Sequence, residues 1–115
     1  LDKKFHLTAD QIKPLAENRG VCIATDMITV VGCKVGFMYR EQPTIDADSG
    51  WRFMAGFETQ DYMDESGNSM FYDINTIANY DPDIIEWLDA PIGASFERLA
   101  DDGDLVPAEI GPPNA

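Results

Sequence analysis

Charged residues interrupt this 115-residue chain so often that no stretch without one exceeds seven residues, Met27–Cys33 and Ala90–Phe96 being two of that length. A membrane-spanning helix needs about 20 apolar residues in succession, so no span is expected. No basic-then-apolar leader opens the chain, and a cytoplasmic protein is the expectation. Hydrophobic residues make up 44%, enough for one domain of this length to bury a core without disulfide or metal support. The chain must therefore fold as short elements joined by turns.

Those elements can be placed from periodicity and turn chemistry. Leu7–Gly20 predicts a helix, with Thr8 as cap, Gln11 in the reciprocal capping position and Ile12, Leu15 and Ala16 on one face. Pro14 predicts a kink or a late start in it. Val21–Thr25 reads as a strand. Ile28–Val31 and Val35–Arg40 read as two strands of a tight hairpin turned by Gly32-Cys33. Trp51–Phe57 alternates as a strand, and Thr59 caps a short helix over Gln60–Asp64. Met70–Ile74 predicts a strand leading into a helical turn over Asn75–Asn79. Asp81-Pro82-Asp83 starts another helix, a capping acid followed by proline in the first turn. Ala94–Leu99 supplies a last strand.

Four to six strands with two or three short helices in mixed order predict an α+β fold, a small antiparallel sheet in a single domain. Its parts are an N-terminal helical segment (1–20), the α+β domain (21–100) and a loosely ordered acidic tail with prolines (101–115). Phe37, Trp51, Phe53, Ile84 and Leu88 are the expected core.

Net charge is −13 and unevenly spread. Residues 1–40 hold six Lys and Arg against four acids, whereas 41–115 hold only Arg52 and Arg98 against 17 acids. Nucleic acid and anionic membrane are poor partners for such a chain, because both are held through Lys and Arg. A basic protein partner would be attracted, and attraction at long range raises association rates.

Catalytic and metal chemistry find little to work with. The single histidine, His6, is the only imidazole available to Ser49, Cys22 or Cys33, and no nucleophile motif surrounds any of them. Two cysteines eleven residues apart, with one histidine, do not make a zinc site, and their apolar neighbours predict inert thiols. Asp46-x-Asp48-x-Gly50 begins like a calcium loop, but Trp51 and Phe57 stand where glycine and glutamate are required, and Asp101-Asp102-Gly103-Asp104 fails the spacing too. Gly32-Cys33-Lys34-Val35-Gly36 is too short for a phosphate cradle. No cofactor, metal or catalytic residue is expected. The alternative is an accessory enzyme or small-ligand domain using the carboxylates around Asp48 and Glu58, with Asp46 and Asp61 nearby in sequence.

Aromatic and polar residues cluster in blocks instead: Val35–Glu41, Asp48-Ser49-Gly50-Trp51-Arg52-Phe53, Gly56-x-Glu58-x-x-Asp61-Tyr62 and Asp73–Pro82. In this order they resemble the bacterial immunity protein 33 family, formerly domain of unknown function 2185, from about Val21 to Arg98. The resemblance implies an α+β domain encoded beside polymorphic toxin genes, which neutralises a toxin by binding it. Met54 and Phe57 depart from the more polar residues expected there, which implies a local packing change. A basic toxin domain is the implied partner. Tyr39, Arg40 and Tyr62 are the expected anchors, with Asp48, Glu58 and Asp61 as charged neighbours, because Tyr and Arg dominate interface energies.

Overall fold

The computed structural model describes residues 3–108. Six strands form one sheet: β1 (Val21–Thr25), β2 (Phe37–Arg40), β3 (Asp48–Met54), β4 (Ser69–Asp73), β5 (Ser95–Arg98) and β6 (Leu105–Pro107). Their order across the sheet is β4-β1-β3-β2-β5-β6. The pair β1–β3 is parallel and every other pair antiparallel. Three short helices accompany them: α1 (Asp26–Thr29), α2 (Gln60–Asp64) and α3 (Ile74–Tyr80), with 3-10 turns at Ala9–Gln11, Ser66–Asn68 and Pro82–Trp87. This is the α+β class the sequence implies, with one parallel pairing added. Among the described residues no helix is long and apolar enough to cross a membrane.

The core lies on one face of the sheet. Alternation along paired strands puts Cys22 and Ala24 of β1, Met38 of β2, Trp51 and Phe53 of β3, and Phe96 of β5 on the same side. These pack with Ile28 of α1, Ile74, Ile77 and Ala78 of α3, and Ile84 and Leu88 from the 3-10 segment and its end, all nearly sealed from water. The Trp51 indole N–H donates to the Leu88 carbonyl at 3.1 Å, which satisfies the one polar atom that this large ring buries. Phe37 lies on the other face, only half-buried, and Met38 takes the core place expected of it.

Several local expectations are corrected. No helix forms over Leu7–Gly20; the Thr8 N–H does bond the Gln11 side chain at 2.7 Å, but the turn ends at Gln11 and Ile12 is extended. Pro14 explains this, since it lacks an N–H and biases the residue before it away from the helical region. The hairpin at Gly32-Cys33 is also absent. Asp26–Thr29 forms a helical turn, and Gly32, at φ +92°, ends it, so that Gly32 and Cys33 N–H groups bond the carbonyls of Ile28 and Met27. A glycine with positive φ serves a helix end as well as a hairpin turn, so the residue alone does not choose between them. The segment from Asp81 starts where expected, but as a 3-10 helix. The tail after 100 contributes β6, paired with β5, while residues 109–115 lie outside those described.

Candidate functional site

The four sequence blocks turn out to be largely scaffold. Asp48 accepts from Arg52 at both oxygens, 2.9 and 2.8 Å, and also from the Thr44 and Gly50 N–H groups. Glu41 adds a bond to the Arg52 Nε. The Arg52 hydrogen bonds hold the Asp48 carboxyl well below the usual carboxylate range, so it is fully ionised at neutral pH. Gly50, at φ +89°, runs its backbone against the Glu41 carbonyl, leaving no room for a side chain. Ser49 ties β3 to β1 by donating to the Val21 carbonyl at 2.7 Å.

The Asn75–Asp81 block performs a second structural task. The Asn75 side-chain carbonyl accepts from the Leu15 and Ala16 N–H groups, and the Asn79 carbonyl accepts from Lys13 N–H. Both amide nitrogens donate to the Lys13 carbonyl. One helical turn apart on α3, the two asparagines clamp an irregular segment around Lys13–Ala16 by its backbone groups. Tyr80 accepts from Leu7 N–H and donates to the Thr29 carbonyl. Asp81 binds Val35 N–H and Arg98, with both ionic side chains buried.

Arg40 is half-buried and tied down as well. It bonds the Ser49 and Ala90 carbonyls and lies over the Trp51 ring, 5.7 Å from its centre, on the helix-covered face. Glu58 closes the loop after β3, accepting from Thr25 Oγ1, Ala55 N–H and Gly56 N–H at 2.6–2.8 Å. Thr59 caps α2 by accepting from Tyr62 N–H. The Tyr62 hydroxyl is buried beside the first turn of α1. Of the six expected contact residues, Tyr39 reaches the outer face of the sheet and Asp61 is exposed on α2. Asp48 is buried and the Tyr62 hydroxyl is enclosed, while half-buried Arg40 and Glu58 are engaged in hydrogen bonds.

Among the described residues, the second face of the sheet is covered only in part, by the 41–47 loop over Arg52 and by Glu58 at Thr25. None of the buried apolar residues comes from it. Register places Ile23, Phe37, Tyr39, Met54, Phe71 and Val106 there, half-buried or exposed, with Arg52 among them under its acids. The Phe37 and Tyr39 rings pack 5.9 Å apart. At one end the face runs into a cleft of about 330 Å³ lined by Phe37, Phe57, Glu97 and Asp101. Gly36 makes this end possible, because its backbone lies directly against the Ala55 carbonyl. Phe57 is 62% exposed, so its departure from a polar residue puts an aromatic ring on the surface and not into a repacked core.

Charge sharpens this surface. Arg52 and Arg98 are the only bases after residue 40, and both are withdrawn into ion pairs with side chains 4% and 3% exposed. The exposed part of residues 41–108 therefore presents acids without exposed bases, including Glu41, Asp61, Asp64, Asp73 and Asp101. Sequence reasoning missed the open face because it placed Phe37 inside. The alternation of Phe37 and Tyr39 against Met38 and Arg40 was the available signal.

Little here resembles a catalytic centre. Cys22 is buried and its thiol is pushed up by desolvation. Among the described residues no group of three His, Cys, Asp or Glu is arranged to hold a metal ion. Asp48 and Glu58 are each saturated by separate partners, which removes the basis for a shared acid–base site. A family model described as "Immunity protein Imm33 domain" matches residues 22–109. No curated protein and no solved structure matches the chain.

Proposed function

The chain belongs to the Imm33 immunity-protein family, and from that premise we propose that it neutralises a cognate toxin in the cytoplasm by binding it through the open face of the sheet. One observation carries the reading: among the described residues, Phe37 and Tyr39 lie on the face of the sheet that supplies none of the buried apolar core, beside a stretch (41–108) whose two bases are drawn into ion pairs. Tyr39 and Phe37 are its central anchors, Phe57 extends it, and Glu41, Glu97 and Asp101 surround them. Aromatic residues supply contact energy at little entropic cost, and the acids attract a basic partner. The protein acts by occupying the toxin, with no chemical step.

The test is growth protection. The chain is co-expressed with candidate toxin domains, as wild type and as Tyr39→Ala. Wild type should restore growth and the variant should protect less at equal expression. Equal protection by both would reject the open face as the contact surface, and no protection by either would reject the immunity reading.

A further inference from the structure

The two borders of the sheet are built differently. β6 is three residues long and ends on Pro107, which has no N–H to offer. β4 is five residues long and pairs with β1 without a bulge from Val21↔Asp73 to Thr25↔Ser69. The Ile74 N–H bonds the Gly20 carbonyl at 3.0 Å, which fixes the phase of that ladder. Residues 70 and 72 then point their backbone groups at β1, and Ser69, Phe71 and Asp73 point theirs away from the sheet. Among the described residues nothing bonds the outward N–H or C=O of Phe71.

Natural edges are normally blunted by lysine, proline, a bulge or a covering loop. β4, Ser-Met-Phe-Tyr-Asp, has none of the first three, and it exposes Met70 and Phe71 at 44% and 46%. We propose that the toxin partner adds an extended, Lys- or Arg-rich strand to the free edge of β4, pairing with the outward groups of Ser69, Phe71 and Asp73. This rests on the immunity reading above and names how the partner is gripped. Charge selects the occupant. Asp61, Asp64 and Glu65 lie just before β4 and Asp73 ends it, while Lys3, which reaches the Gly67 carbonyl nearby, is paired with Asp26. A second copy of this chain would set those acids against each other; a basic strand neutralises them. Phe71 also belongs to the open face, so one partner can cover that face and continue the sheet.

The test separates backbone from side chain. Phe71→Pro removes an N–H that plays no part in the β1–β4 ladder, whereas Phe71→Thr keeps the N–H and removes the ring. The probe is a short peptide alternating lysine and valine, with a glutamate–valine peptide as control. On the wild-type protein the lysine peptide should slow exchange of the Phe71 amide by at least about tenfold, and the control should not. Phe71→Thr should retain most of the binding and Phe71→Pro should lose it. Equal loss in both variants, or an unprotected Phe71 amide, would overturn strand addition; so would a dimer of the chain that Phe71→Pro abolishes. Should Phe71→Pro fail to fold, exchange at the wild-type Phe71 amide decides alone. Growth protection keeps the two readings apart: a Phe71→Pro protein that protects fully sinks only the strand, and a wild type that never protects sinks the immunity reading.

Discussion

Both oxygens of the Asp48 carboxylate face the guanidinium of Arg52 four residues along the same strand, and the two side chains are 0% and 4% exposed. The two residues flank the register shift between β1 and β3, where Val21 lies opposite Asp48 but Ile23 opposite Arg52. Thr44 and Glu41 bring the loop 41–47 down onto it. A motif that reads as a contact site in the sequence is a buried ion pair within β3 that anchors the loop 41–47.

Removing one partner should therefore cost stability. Arg52→Met leaves Asp48 charged, buried and short of its main donor, a change worth about 3–5 kcal/mol. Chemical denaturation of the purified variant measures it. A midpoint equal to that of wild type would show that the pair contributes nothing net.

The same pair gives acid sensitivity. The Asp48 carboxyl titrates lower in the folded protein than in the unfolded chain, where about 3.9 is usual. Its contribution is present above the unfolded value and is lost as pH falls below it. Melting of the wild type should drop between about pH 4 and pH 2, and Asp48→Asn, already weakened at pH 7, should drop less over that interval. Parallel melting curves for the two proteins would contradict this.

Asn75→Ala should release the segment around Ala16 without unfolding the sheet. Three side-chain hydrogen bonds are lost, from the Leu15 and Ala16 N–H groups and to the Lys13 carbonyl, each worth about 0.5–1.5 kcal/mol net. Hydrogen exchange at Leu15 and Ala16 should accelerate while the β3 amides remain protected. Uniform acceleration would mean that the clamp is part of the global fold.

Trp51→Ala and Arg40→Ala should both act on stability. The indole is 1% exposed, and deleting a core aromatic costs about 3–5 kcal/mol. Arg40 packs over that ring, so its loss should lower the melting temperature and leave the dissociation rate from a toxin nearly unchanged. A variant that melts like wild type but dissociates faster would return Arg40 to the interface.

Much of the fold was legible because local chemistry and final structure agree. Thr59 caps α2, Asp81-Pro82-Asp83 starts a helical segment, and Trp51 and Phe53 go inside as their alternation implies. The misses have physical causes. Gly32 satisfies a helix end and a hairpin equally well, and Pro14 outweighed a good apolar stripe. The site was less legible. Phe37 and Met38 are apolar neighbours on one strand; alternation separates them onto two faces, and the placement of α1 and α3 decides which face is covered. Asp48, Asn75 and Asn79 carry their roles through partners far away in the chain, which no single stretch of sequence displays.

The most direct measurement is the affinity of Tyr39→Ala for a toxin domain that the wild-type chain neutralises, taken with a protein shown to melt like wild type. Binding through the open face predicts a loss of at least about 2 kcal/mol, roughly thirtyfold, as for a central aromatic anchor. It also predicts a wild-type association rate that falls as salt rises, since exposed charges are screened beyond about 8 Å at physiological ionic strength. An affinity within about twofold of wild type, well below the cost of losing an anchor, would contradict the central role of that face.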